Sequence, residues 1–133
     1  MFVALDTCST ETYITEELAS RLGLQTTATN ITISGIGGET NRLQLGKAQL
    51  TIKSKVNDWC QDTTVFILDR ICENLKYHDT KEPTEIEIDM LLSCQVSLKL
   101  LITYDEEAEV LETHLGQCYL PEDKMTIMKR KLI

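Results

Sequence analysis

Through the middle of the chain, apolar side chains return at every second position: Ile31 and Ile33, Leu43 and Leu45, Leu50 and Ile52, then Ile86, Ile88 and Met90. A period of two lines up one face of an extended strand, whereas a helix needs a spacing of three or four, so this chain must bury its apolar surface in sheets. Gly35, Ile36, Gly37 and Gly38 interrupt the first two alternating stretches, which predicts a β-hairpin over residues 32–44 with a glycine-rich tip. Val65, Phe66, Ile67 and Leu68 form an all-apolar run of β-prone residues, as expected for a strand buried on both faces. Val3, Ala4 and Leu5 give a shorter run that ends at Asp6, Thr7, Cys8 and Ser9, a buried strand entering a turn. Residues 76–85 form a polar, Pro-containing loop, residues 98–102 and 110–120 add final strands, and Asp105, Glu106 and Glu107 make an acidic connector. One segment breaks the pattern. Thr15 can cap a helix, Glu16 and Glu17 suit its positive end, Leu18 and Leu22 share a face, and Gly23 supplies the stop, predicting a single helix near residues 15–22. The expected fold is mainly β, a small closed barrel with one short helix.

Length and charge narrow the functions. At 133 residues there is room for one domain, residues 1–133. With 13 basic against 21 acidic residues, the net charge of −8 repels a phosphate backbone or an anionic membrane surface, which argues against nucleic acid and membrane partners. Apolar runs fall far short of the ~20 residues that span a bilayer, and Met1 to Leu5 lacks the basic flank and apolar core of a signal peptide, so the expected location is cytoplasmic. Five cysteines, Cys8, Cys60, Cys72, Cys94 and Cys118, show no C-x-x-C pair, and the two histidines are His78 and His114. That spacing suits neither a zinc site nor a disulfide framework, so the expectation is reduced thiols, no metal and no cofactor. Asn30-Ile31-Thr32 is formally a glycosylation sequon but falls within a predicted strand.

Taken singly, the polar residues support bland roles. Asp6 alone is a turn residue at a strand end, Cys8 an inert thiol for want of a placed histidine, and Asp89 a solvated acid at a strand edge. Trp59 and His114 read as structural or exposed, and Asp105, Glu106, Glu107 and Glu109 as a solvated loop.

The order of the blocks says more. The chain reads Ala4-Leu5-Asp6-Thr7-Cys8-Ser9, Tyr13-Ile14, Leu22-Gly23-Leu24, Gly35-Ile36-Gly37-Gly38, Ile88-Asp89-Met90-Leu91-Leu92-Ser93 and Thr113-His114-Leu115-Gly116-Gln117. In this order they resemble the retropepsin-like aspartic peptidase domains of BEL/Pao-type retrotransposon polyproteins: Leu-Asp-Ser/Thr-Gly-Ser, an aromatic-Ile segment, a helix ending Leu-Gly-Leu, a Gly-Ile-Gly-Gly hairpin, Ile-Asp-Leu-Leu-Ile-Gly, and Thr-x-Leu-Gly-Trp. The likeness extends over nearly the whole chain, and the order carries it, since Asp-Thr and Gly-x-Gly-Gly are common individually.

The resemblance implies an aspartic endopeptidase that processes a retroelement polyprotein. Two aspartates facing each other share one proton, one activating water while the other acts as acid. One Asp-Thr loop per chain implies a homodimer with Asp6 from each copy, Thr7 bonding across the two loops, and Cys8 and Ser9 completing the active-site loop. Gly35, Ile36, Gly37 and Gly38 become a flap over a bound peptide. The chain departs from the pattern in two places: Cys8 and Ser93 stand where the family has glycines. Five residues precede Asp6, where the family has an extra strand, so the expected domain lacks that strand. These departures leave a second function open, a non-catalytic dimerisation or peptide-binding module of the same fold.

Overall fold

A computed structural model describes residues 1–34, 37–71, 75–77, 84–107, 110–119 and 126–129. The element order is β1 (Phe2–Leu5), β2 (Thr12–Thr15), α1 (Glu16–Leu22), β3 (Thr27–Ser34), β4 (Thr40–Lys53), β5 (Cys60–Leu68), β6 (Leu75–Tyr77), β7 (Thr84–Ile86), β8 (Met90–Leu92), α2 (Cys94–Leu100), β9 (Leu101–Asp105), β10 (Val110–Thr113), β11 (Gly116–Tyr119) and β12 (Thr126–Lys129). The chain is mainly β, as the alternation requires. Ten strands form one sheet in the order β3-β4-β5-β2-β8-β1-β12-β11-β10-β9, and β6 pairs with β7 apart from it.

The predicted helix is α1, with its caps where the sequence put them. The Thr15 hydroxyl accepts from the Leu18 amide at 3.2 Å, and Gly23 ends the helix in the left-handed region at φ 64°. Leu18 is buried while Leu22 is 39 % exposed, so only part of the expected face is covered.

Three local expectations change. Residues 94–100 are helical, so the stretch expected to become a strand at 98–102 instead finishes α2 and starts β9. Its period shows in Val96 and Leu100, four residues apart and both buried. Strands β6 and β7 form a short antiparallel pair inside the segment expected to be loop, with Tyr77 opposite Thr84; residues 78–83 lie outside the described residues. The alternation at 86–92 is split, because Ile86 ends β7 and Met90 begins β8.

Pairing does not join β3 to β9 among the described residues, so strand hydrogen bonds alone do not close the expected barrel there. Turns and side chains curl the sheet instead. The Trp59 ring, between β4 and β5, stacks on His114, between β10 and β11, with centroids 5.7 Å apart and planes 7° from parallel. Beside it the Ser54 hydroxyl donates to the His114 carbonyl and the His114 amide donates to the Leu100 carbonyl. The core within this curl includes Val3, Ile14, Leu18, Ile52, Val65, Met90, Leu92, Leu100 and Leu115. Among the described residues no helix is long and apolar enough to cross a membrane.

Candidate active site

The centre of the molecule is a crossover. Strand β8 lies between β1, to which it is parallel, and β2, to which it is antiparallel. A strand from late in the chain is thereby wedged between two early ones, and the loop joining those two, residues 6–11, passes over its end. The wedge is stable because each of the three strands buries apolar side chains in it: Val3, Ala4, Ile14, Met90 and Leu92 are each at most 2 % exposed.

Asp6 follows β1 directly and is half-buried. Its amide donates to the Leu92 carbonyl at 3.1 Å, an oxygen that also accepts from the Ser97 hydroxyl at 3.2 Å. Its own carbonyl accepts from the Ser9 amide at 3.3 Å, which turns the loop back. The Asp6 carboxylate accepts from the Cys8 amide through Oδ1 at 2.9 Å. Backbone bonds therefore fix the aspartate on both sides, and Thr7 and Cys8 stand exposed at the top of the loop. The sequence-predicted residues Asp6, Thr7, Cys8 and Ser9 are thus gathered on one short turn.

The loop is also pinned from below. The Cys94 amide donates to the Ser9 carbonyl at 2.8 Å, and the Ser93 amide donates to the Thr12 hydroxyl at 3.1 Å. Thr12 and Ser93 are buried, at 2 % and 5 % exposure, so this bond satisfies an amide that water does not reach. Ser93 has its own use at a position where the resembled pattern has glycine. It caps α2, its hydroxyl accepting from the Val96 amide at 3.4 Å, with a φ of −60° that any residue adopts.

Asp89 is likewise tied into the fold. The Phe2 amide donates to its Oδ2 at 2.8 Å, its amide donates to the Phe2 carbonyl at 3.0 Å, and its carbonyl accepts from the Thr15 amide at 3.0 Å. It clamps the starts of β1 and β8 and the end of β2, so the solvated strand-edge role expected of it does not describe it. Sequence reasoning missed Thr12, Ser93 and Asp89 as positioning residues; the block Ile88-Asp89-Met90 was the available signal for the last of them. Tyr13 packs its ring on Phe66, centroids 6.2 Å apart at 45°, and burial, helped by the charge of Glu11, raises its phenol above the usual tyrosine range.

The glycine-tipped hairpin stands on β3 and β4, paired from Thr27 with Lys47 to Ser34 with Thr40. Gly37 and Gly38 turn with φ of 91° and 80° in open space, conformations L residues rarely adopt. Gly35 and Ile36 lie outside the described residues. β4 leaves β3 for β5 around Gly46, which pairs with Ala28 on one side and Ile67 on the other. A groove of about 610 Å³ opens beside that changeover, bordered by Glu16, Ser20, Gln44, Gly46 and Asp69. Asp6 does not line it.

The family model described as aspartyl protease matches residues 3–95, from β1 through the start of α2. No curated protein and no solved structure matches the chain. The matched span holds the crossover, the Asp6 loop and the hairpin, and the chain belongs to the aspartyl protease family.

Proposed function

We propose that this aspartyl protease family member is an endopeptidase that works as a homodimer, with Asp6 of each copy supplying one of two facing carboxylates, and that its substrate is a retroelement polyprotein of the BEL/Pao type. The observation that carries the reading is the Asp6 turn. A carboxylate half-open to solvent is held by an amide two residues on, and its backbone is tied to the buried β8. Such rigid placement is what acid-base chemistry on a peptide bond needs, because a misplaced proton donor forfeits rate steeply.

In such a dimer the two facing Asp6 carboxylates would share one proton, since two like charges brought into contact do not both ionise. The ionised one takes a proton from water as that water attacks the scissile carbonyl. The protonated one donates to the carbonyl oxygen, and the tetrahedral diol collapses as the first carboxyl gives its proton to the leaving amine nitrogen and the second takes one back from a diol hydroxyl. Thr7, exposed next to Asp6, is the residue that would bond across to the partner loop. The β3–β4 hairpin would cover the peptide, its glycine tip allowing the backbone to approach closely, and no cofactor takes part.

Cys8 favours the second reading, a peptide-binding or dimerisation module without turnover. It presents an exposed side chain beside Asp6 where the resembled pattern has none. Cleavage of a peptide library by wild type and Asp6→Asn decides between them. The expected result is a fall in kcat/KM of at least about 10²-fold, as for loss of a general acid or base. Equal rates for the two proteins remove the peptidase; binding of peptides without cleavage by either establishes the module.

A further inference from the structure

We infer that the groove at the base of the β3–β4 hairpin binds a basic side chain of a polypeptide, an aliphatic stem ending in a guanidinium or ammonium group. The groove, of about 610 Å³, lies between α1 and the point where β4 leaves β3 for β5. Asp6 does not line it, so the inference goes beyond the peptidase reading and does not rest on it. Leu24, Leu45 and Ile67 give the groove half-buried apolar walls. Glu16, at the start of α1, and Asp69, just after β5, border it with exposed side chains, and no lysine or arginine among the described residues does so. Among those residues neither carboxylate has a hydrogen-bond or ion-pair partner. Glu16 suits the first turn of α1 whatever lies beside it, but Asp69 has no such part in a helix.

Apolar walls under an acidic rim select the occupant. A lysine or arginine lays its methylenes on apolar surface and keeps its charge at the polar edge, so it matches both halves of the groove. An acidic side chain would meet like charge there, and an apolar one would leave both carboxylates without a counter-charge. The net charge of −8 acts in the same direction, drawing a cationic partner towards the surface. Gly46 is the second, independent sign of an occupant. It lies inside β4, paired with Ala28 and with Ile67 in registers that continue without a bulge, and its φ is outside the left-handed region, so neither backbone conformation nor a bulge calls for glycine. A Cβ there would meet Ile67 Cδ1 at 3.3 Å and Thr26 Cβ at 3.6 Å, two residues that border the groove, so a side chain at this position would take up its floor. Glycine inside a strand costs stability, and without a bulge it marks a place where another group approaches closely.

Titration of N-acetyl-arginine methylamide into isotope-labelled protein, followed through the backbone amide shifts, tests the site. N-acetyl-citrulline methylamide, which keeps the shape of the probe and lacks its charge, is titrated beside it. Saturable shifts centred on Ser20, Gly46 and Asp69 are expected in the millimolar range, with the citrulline probe binding at least about tenfold more weakly, as for loss of a charge-assisted contact. Asp69→Asn and Glu16→Gln should each weaken the arginine probe, and both positions are exposed, so circular dichroism and melting temperature should stay those of wild type. If Glu16→Gln loosens α1, then Asp69→Asn, outside any helix, and the comparison of the two probes on wild type decide the matter. Absence of shifts at the groove, equal binding of the two probes, or arginine binding indifferent to Asp69→Asn overturns the site. The peptidase reading fails separately, because Asp6→Asn should bind the arginine probe as wild type does. A protein that binds arginine here and never cleaves peptide keeps this site and removes the catalysis, whereas one that cleaves without binding it does the reverse.

Discussion

Behind Asp6 the strands are buried nearly completely, with Ile14 and Leu92 at 0 % exposure, while in the outer half of the β3–β4 hairpin, residues 30–34 and 40–44, the described residues range only from half-buried to exposed. The first region is pinned by bonds between parts of the chain more than eighty residues apart, such as the Phe2 amide to Asp89 and the Ser93 amide to Thr12. The second is held by pairing between two strands adjacent in sequence. Local pairing opens at lower free-energy cost than wedged strands do, so the strands behind Asp6 are expected to resist opening more than the β3–β4 pairing. Under the proposed peptidase reading, that difference would let the carboxylate stand positioned before substrate arrives while the hairpin opens for it.

The largest way to test this contrast is to remove equal side chains from the two regions. Leu92→Ala empties a site at 0 % exposure and should lower the unfolding free energy by about 2–5 kcal/mol. Leu43→Ala, from a residue 38 % exposed on the hairpin, should cost no more than about 0.5 kcal/mol, as for surface changes in general. Urea denaturation of the two variants checks this, and similar losses would show that the hairpin is as much part of the cooperative core as β8.

The difference between the regions also governs how much of each was legible. The hairpin and α1 are local, and their signals lie within a few residues: alternation around Gly37 and Gly38, and Thr15 and Gly23 bracketing the helix. The Asp6 turn was legible only through the order of blocks, because nothing near it in sequence says that β8 will slide between β1 and β2. Helix α2 was hidden by its own composition. Val96, Leu98, Leu100 and Ile102 recur at every second position as in a strand, Val96 and Ile102 are β-branched, and its first turn has no acidic residue to reinforce the Ser93 cap. Strand β12, which pairs with β1 on the side away from β8, lies in a stretch where no strand was expected.

A smaller effect should come from the buried bond beneath the loop. Thr12→Val keeps the shape of the side chain but removes the acceptor of the Ser93 amide, leaving a buried donor unpaired at a cost of about 1–3 kcal/mol. Because that bond ties the Asp6 loop to α2, the variant should lose cleavage rate as well as stability, whereas Leu43→Ala should lose neither to the same degree. Denaturation and kcat/KM measured together separate the cases; full activity at reduced stability would mean that the turn is held without Thr12.

The smallest expected effect concerns the two positions at which the resembled pattern has glycine, and there the structure divides them. Ser93 caps α2, yet its hydroxyl lies 3.4 Å from the Val96 amide, at the long end of hydrogen-bond geometry. Ser93→Gly should therefore cost only a few tenths of a kcal/mol and Ser93→Ala at most about 1 kcal/mol. Neither should raise the cleavage rate, because Ser93 is buried behind the loop and its side chain is used there. Cys8 is exposed beside the carboxylate, and its amide, which bonds to Asp6, survives any substitution other than proline. Cys8→Gly removes a side chain from the approach to Asp6 without touching that bond, so it should raise kcat/KM while leaving the melting temperature within a degree or two of wild type, since exposed changes cost little. Cleavage by Cys8→Gly, Ser93→Gly and the double variant measures the split directly. A gain from Ser93→Gly that matches the gain from Cys8→Gly would mean that the base of the loop, and not its open face, limits access to Asp6.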